Sequence, residues 1–252
     1  MDLGLKDKVA LITGAGSQVG FGKGIAMALA REGCDIVACD KDIEGAEKTA
    51  ADVKALGRKA IALKMDITKT AEVREAVDAA LKEFGKIDIL INNAGVGTQP
   101  KPFVATTEEE WDMNININLR GTMNVTKAVL PHMIERKSGK IVSMSSTAGL
   151  SGMSTGGVYG AAKAGIVIFT SALAKELDEV GINVNCMAPG LGATNFHKAS
   201  NFPPEYIDKF VKEMAASGKT TTPEEIGHLA AFLVSDVSKN ITGQCIRVSG
   251  LM

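Results

Sequence analysis

Surplus charge is almost absent from this chain: 28 Lys and Arg against 29 Asp and Glu leave a formal net charge of −1. That balance gives no electrostatic reason to expect a nucleic acid or an anionic membrane as a partner. Cysteine is scarce as well. Cys34, Cys39, Cys186 and Cys245 form no C-x-x-C pair and lie in or beside apolar, strand-like runs, which argues against a disulfide framework and for reduced core thiols. The three histidines, His132, His197 and His228, are too scattered for a metal-binding motif, so no catalytic metal is expected. Met1–Lys6 lacks a basic region leading into an apolar stretch, and no apolar run reaches the roughly 18 residues of a membrane span. A cytoplasmic protein without signal peptide or membrane segment is the expectation. Repeats, low-complexity tracts and interdomain linkers are missing too. What is present is apolar content: 45% of 252 residues suffices for one sizeable core and a single domain over 1–252.

Short β-branched runs alternate with longer segments of helical period. Strands are expected at Val9–Thr13, Ile36–Cys39, Ala60–Lys64, Ile87–Ile91, Lys140–Ser143, Asn183–Cys186 and Cys245–Val248. Helices are expected at Ile25–Gly33, Ile43–Gly57, Ala71–Phe84, Thr107–Ile134, Gly157–Val180 and Pro223–Val234. Thr107-x-x-Glu110 and Thr222-Pro223-x-Glu225 read as capping boxes. This alternation implies an α/β protein with a doubly wound parallel sheet, covered on both faces and joined by right-handed crossovers. One stretch breaks the rhythm. Residues 190–219 are rich in Gly, Asn, Ser and Pro around an expected short helix at Glu205–Ala215, and such an insertion in a compact domain suggests a lid.

After the first strand comes Thr13-Gly14-Ala15-Gly16-Ser17-Gln18-Val19-Gly20-Phe21-Gly22. Gly14, Gly20 and Gly22 allow a tight turn and close approach of backbone to a pyrophosphate, and the following helix aims its free N–H groups and positive dipole end at that charge. A glycine cluster alone is weak, but its place between a strand and a helix is what a Rossmann-type dinucleotide site requires. Ser17, Gln18 and Phe21 lie in the turn and are candidate cofactor contacts. The second strand ends at Asp40, twenty residues beyond Gly20. A carboxylate there accepts hydrogen bonds from ribose hydroxyls and repels a 2′-phosphate, which favours NAD over NADP. Lys41 follows and offsets part of that repulsion, leaving NADP open. Far downstream, Tyr159 and Lys163 are four apart on an expected helix and share a face. A phenol of pKa near 10 is a poor base at neutral pH; a nearby ammonium and a positive nicotinamide ring lower that value, and bringing it to about 7 takes roughly 4 kcal/mol.

These residues resemble the classical, Tyr-x-x-x-Lys type of the short-chain dehydrogenase/reductase family, over nearly the whole chain. Thr13-Gly14 to Gly20-x-Gly22 is similar to its cofactor turn, Asn92-Asn93-Ala94-Gly95 to its fourth-strand motif, and Asn118 in Asn118-Leu119-Arg120-Gly121 to its helix asparagine. Ser146 stands 13 residues before Tyr159, and Pro189-Gly190 falls where the family's nicotinamide-side loop begins. The resemblance implies that Tyr159 takes the alcohol proton while hydride leaves for nicotinamide C4. Lys163 would hold the nicotinamide ribose, Ser146 would orient the substrate oxygen, and Asn118 would support a water-linked proton relay. It further implies that Asp66 and Ile67 contact adenine, that Asn93, Ala94 and Gly95 line the ribose, and that Pro189, Gly190, Gly192 and Thr194 hold the nicotinamide side. A homotetramer built on the helices near 107–134 and 157–180 is implied as well.

Three departures from the family pattern stand out. The turn carries two extra residues between Gly14 and Gly20, which makes the Ser17 and Gln18 contacts hard to place. Position 192 is glycine where the family often has a branched apolar residue, so a more flexible loop is expected. The chain ends Val248-Ser249-Gly250-Leu251-Met252 where many relatives have an aspartate and two glycines, which alters the expected carboxy-terminal subunit contact. The reading is an NAD-dependent oxidoreductase interconverting a small or cyclic, partly polar secondary alcohol and its ketone. Its substrate walls would be Gly95–Pro102, Ser146–Val158 and the 190–219 lid, with Ser151, Ser154 and Thr155 polar and Leu150, Met153 and Phe196 apolar. The alternatives are an NADPH-dependent 3-oxoacyl reductase, which the lack of a basic cluster disfavours, and a non-catalytic dinucleotide sensor or scaffold.

Overall fold

The computed structural model describes residues 2–192, 194–200, 202–208, 212 and 220–249. Seven strands form one wholly parallel sheet: β1 (Val9–Thr13), β2 (Asp35–Asp40), β3 (Ala60–Lys64), β4 (Ile89–Asn92), β5 (Gly139–Met144), β6 (Ile182–Pro189) and β7 (Cys245–Val248). Their spatial order is β3-β2-β1-β4-β5-β6-β7. The order reverses between β1 and β4, and in such sheets the crevice at the carboxyl ends of those strands is the ligand site. Every expected strand is present. β6 runs past its expected end at Cys186 to Pro189, because it pairs with β5 on one side and β7 on the other.

Strand periodicity divides the core. Ala10 and Ile12 of β1 face one layer and Val9 and Leu11 the other. The first layer is closed by α1 (Phe21–Arg31), α2 (Ile43–Ala55) and a helix near the carboxy terminus (Pro223–Leu233), through Ile25, Leu29, Val53, Ile226 and Leu233. The second is closed by α3 (Thr70–Phe84) and by two longer helices further on, through Val73, Val77, Val125, Val129, Leu173 and Leu177. Both faces of the sheet are therefore apolar and covered, as a parallel sheet requires.

The expected unbroken helix over Thr107–Ile134 is three pieces. α4 (Glu108–Asn114) leads into a π-helical segment, Ile115–Arg120, and then α5 (Gly121–Arg136). The wider turn holds Asn118, whose side chain is fully buried; single π turns of this kind gather at functional sites. After a single turn, α6 (Ala148–Ser151), comes α7 (Gly157–Leu177). With the 3-10 turn that follows, Gly157–Val180 is 24 residues of mean hydropathy 1.4, long and apolar enough to cross a membrane by length and composition. The expectation that no segment would qualify is corrected to that extent, although buried Lys163 and Thr170 interrupt the run and one face packs on β6.

Within 190–219, α8 (Phe196–Ala199) and the helical residues 204–208 and 212 are described. The remainder of the expected Glu205–Ala215 helix and residues 250–252 lie outside the described residues. Both capping boxes are formed, Thr107 with Glu110 on α4 and Thr222 with Glu225 on the helix at Pro223–Leu233, numbered α9. The cysteines are free, with Cys34, Cys39 and Cys186 buried.

Candidate active site

The glycine turn is packed too tightly for side chains. Gly14 has φ +68°, and a Cβ there would stand 2.8 Å from the Ala94 Cα; a Cβ on Gly22 would collide with the Gly14 carbonyl. Thr13 and Asn93 tie the turn to the end of β4. Thr13 Oγ1 accepts from the Asn93 and Ala94 N–H groups at 3.0 Å each, and Asn93 Nδ2 donates to the Thr13 and Gly14 carbonyls at 2.9 Å each. Asn93 thus shapes the turn through its side-chain amide N–H groups. α1 starts at Gly20 with no side-chain cap and no acidic residue in its first turn, unlike α4 and α9. An uncapped 11-residue helix facing the crevice fits the diphosphate of a dinucleotide.

At the next position outward, Asp40 Oδ2 accepts from the Gly16 N–H at 2.7 Å and Oδ1 from the Asp42 N–H at 3.0 Å. Lys41 is exposed beside it. Gln18 is engaged within the protein: Nε2 donates to the Gly16 and Gly45 carbonyls at 2.9 Å each, and Oε1 accepts from Lys23 Nζ at 2.6 Å. The Ser17 carbonyl accepts from the Gly20 N–H at 3.2 Å, which closes the extra residues into a turn. Asp66 Oδ1 accepts from both the N–H (2.9 Å) and the hydroxyl (2.7 Å) of Thr68. Burial raises its carboxyl, but the Thr68 bonds with Lys69 and Lys41 outweigh that and hold it below the usual range. Ile67 is buried and its carbonyl accepts from Asn124 Nδ2 at 2.9 Å.

Across the crevice, Asn118 bonds the Val96 backbone in both directions, Nδ2 to the carbonyl at 2.9 Å and Oδ1 from the N–H at 3.1 Å. A Cβ on Gly95 would stand 2.7 Å from Asn118 Oδ1 and 3.2 Å from Lys163 Nζ. Gly95, Asn118 and Lys163 therefore meet at one point. Lys163 is buried, donates to the Met144 carbonyl at 2.9 Å, and places Nζ 5.8 Å from the Tyr159 ring centre. Ser146 lies beside Tyr159 and pulls the phenol's pKa down, while its Oγ accepts from the Ala148 N–H at 3.2 Å. Sequence spacing brought Ser146, Tyr159 and Lys163 into view; the Met144 carbonyl, a backbone group whose role depends on β5 passing under α7, left no signal.

The residues expected on the nicotinamide side follow the end of β6. The Pro189 carbonyl accepts from the Thr147 N–H at 3.0 Å, and the Gly190 N–H donates to the Val248 carbonyl at 2.8 Å. Gly192 is glycine for a reason: the Phe21 ring lies where a Cβ would go, at 2.5 Å. Its backbone is bridged to Thr221. Thr194 Oγ1 accepts from the Phe196 N–H at 3.3 Å. Phe196 tilts over Tyr159 with ring centres 6.2 Å apart, and His197, Phe202 and Tyr206 continue the aromatic contact. Beside the start of α7 lies a cavity of about 180 Å³ whose lining includes Gln99, Phe103, Trp111, Met153 and Val158. Phe103 and Trp111, stacked at 5.4 Å, were not singled out in the sequence, where a lone aromatic pair carries no distinguishing pattern.

The short chain dehydrogenase family profile matches residues 8–203. The chain belongs to the short-chain dehydrogenase/reductase family. It is 36% identical over 250 residues to the 3-oxoacyl-[acyl-carrier-protein] reductase of Thermotoga maritima, covering 98% of both chains. It is 39% identical over 248 residues to a subunit of (2S)-[(R)-hydroxy(phenyl)methyl]succinyl-CoA dehydrogenase from Thauera aromatica, covering 98% of this chain and 97% of that one. Among solved structures, levodione reductase superposes with TM-score 0.91 at 33% identity over 97% of both chains. The 3-ketoacyl-(acyl-carrier-protein) reductase of Brucella melitensis, complexed with NADH, gives 0.87 at 37% over the same share.

In this family member the expected lowering of the phenol is not met by the chain on its own. Burial pushes Tyr159 up to about 12, with neighbouring Ser146 pulling the other way. Burial also pushes Lys163 down to about 8. Buried Lys163 and partly buried Tyr159 each resist ionisation here, so a phenolate at Tyr159 near neutrality would need further positive charge beside it.

Proposed function

We propose that this chain is an NAD-dependent oxidoreductase interconverting a secondary alcohol and its ketone. The observation that carries the reading is the convergence of Ser146, Tyr159, Lys163 and Asn118 at the carboxyl ends of β4 and β5, opposite an uncapped glycine turn that ends against Asp40. A nicotinamide dinucleotide held in the crevice would supply the hydride-acceptor chemistry for oxidation of the carbinol carbon. Tyr159 takes the hydroxyl proton as the carbonyl forms and returns it in the reverse direction. Ser146 orients the substrate oxygen at the phenol. Lys163, held by the Met144 carbonyl, keeps its remaining N–H bonds for the nicotinamide ribose hydroxyls and lends its charge to the phenolate. Asn118 fixes the Val96 backbone and anchors the water-linked relay that returns the proton to solvent.

Asp40 supports NAD over NADP, and a structure of the related Brucella reductase holds NADH. The names of the 3-oxoacyl reductase relatives favour the second reading, an NADPH-dependent 3-oxoacyl reductase; the carboxylate of Asp40 weighs against it. Gly95–Pro102, Ser146–Val158 and the described part of the 190–219 segment serve as the substrate walls in this reading, Leu150, Met153 and Phe196 contributing apolar surface and Ser151, Ser154 and Thr155 hydroxyls. The enzyme works as a cytoplasmic homotetramer. Tyr159→Phe tests the catalytic reading: turnover should fall by 10²-fold or more, the usual scale of lost acid–base catalysis, while NADH binding survives. Unchanged turnover would remove Tyr159 from the chemistry, and an unchanged biological activity without turnover would favour the sensor.

A further inference from the structure

The two extra residues of the glycine turn are bolted to α2. Gln18 Nε2 shares its two hydrogens among the Gly16 carbonyl, the Gly45 carbonyl and Thr49 Oγ1, the last at 3.3 Å. Thr49, fully buried, donates onward to the Ala15 carbonyl at 2.7 Å. Lys23 holds the other end of the Gln18 amide and is itself paired with Asp52 of α2 at 2.6 Å. Gly45 lets the first turn of α2 press on the loop, since a Cβ there would strike the Gly16 carbonyl. Two of these bonds end on the Ala15 and Gly16 carbonyls, and Gly16 is the residue whose N–H grips Asp40 at 2.7 Å. Gly16 in turn has no space for a side chain, because a Cβ would stand 2.8 Å from the Asp40 Cγ.

A strand-end aspartate with a free side chain can rotate away from an incoming phosphate, and water and salt then screen what repulsion is left. Asp40 is tied at both oxygens. A carboxylate oxygen accepts two hydrogen bonds, so each still has a lone pair for a ribose hydroxyl. Rotation toward solvent, by contrast, would break a charge-assisted bond that the turn holds in place.

Resting on the NAD reading above, we propose that Gln18 is a positioning residue for dinucleotide selectivity: its clamp between the lengthened turn and α2 keeps the Gly16 N–H on Asp40 and prevents that carboxylate from yielding to a 2′-phosphate. Selectivity is a difference of two affinities, and this device raises the difference without Gln18 touching the dinucleotide.

The test titrates the full chain with NADH and with NADPH by nicotinamide fluorescence, for the wild type, Gln18→Ala and Thr49→Val. Gln18→Ala should lower the preference for NADH about tenfold, the scale of one or two net hydrogen bonds, with NADPH affinity unchanged or improved. Thr49→Val keeps the side-chain shape and should shift the ratio the same way by about threefold; it decides the matter alone if Gln18→Ala does not fold. Exchange of the Gly16 amide hydrogen should quicken in both variants without any ligand. Equal loss of both affinities would make the clamp merely structural and overturn the proposal, as would an unchanged ratio. A wild type that prefers NADPH, or binds neither, overturns the NAD reading itself, and that result appears before any variant is compared.

Discussion

At Lys163 the folded chain sheds its proton near 8, while the unfolded chain keeps it to about 10.5. Below pH 8 both states are charged and the folded one carries the burial penalty. Between 8 and 10.5 the unfolded state binds more protons, so this residue's contribution to stability rises with pH and is lost as pH falls back through 8. Tyr159 acts in a separate window, its raised value removing stability between about 10 and 12. Urea denaturation at pH 7.5 and 9.5 should therefore show the wild type gaining stability relative to Lys163→Met at the higher pH; an equal response in both chains would mean the buried amine is not depressed. Phe21 and Gly192 make a second residue-scale case. Gly192→Val should lower the melting temperature by crowding the Phe21 ring, and Phe21→Ile should recover it; no recovery would mean the two do not share that space. Tyr159, Lys163 and Ser146 were legible because side-chain type and spacing along one helix or strand end are sequence properties. The Met144 carbonyl and the turn-shaping role of Asn93 were not, since both depend on which backbone passes beneath which residue.

Asp88 shows how one buried carboxylate joins elements. It accepts from the Val9 N–H of β1 at 2.9 Å and pairs with Arg136 of α5 at 2.8 Å and Lys86 at 3.1 Å. Burial works against its charge, but the Arg136, Val9 and Lys86 bonds prevail and keep the carboxyl low. Its contribution is present above the unfolded carboxyl pKa and is lost as pH falls through the folded one. Asp88→Asn should cost about 2 kcal/mol at pH 7, read from urea unfolding, and the deficit should shrink on acidification; a constant deficit would assign the loss to shape and not charge. The order of elements, the sheet and both capping boxes were readable from period-2 and period-3.6 patterns and from Thr-x-x-Glu spacing. The π turn at Ile115–Arg120 was not. It keeps helical periodicity on both sides, and the contact it makes, the two-way bond between Asn118 and the Val96 backbone, is a tertiary one.

Over the whole molecule, apolar side chains remain exposed along α5 and α7, with Met123 and Ile134 on the first and Ile168, 71% exposed, on the second. In the proposed homotetramer these faces pack against symmetry mates, which accounts for a helix apolar on more sides than the sheet alone needs. Ile168→Glu should shift the mass in light scattering from tetramer toward smaller species; a wild type that is monomeric would remove the assembly from the account. The central claim is that the crevice between β1 and β4 takes NAD and that Asp40 chooses it. The most direct measurement is a fluorescence titration of the wild-type chain with NADH and, in parallel, with NADPH. Saturable NADH binding with NADPH weaker by an order of magnitude or more is the predicted result, whereas tighter NADPH binding, or binding of neither, would contradict it.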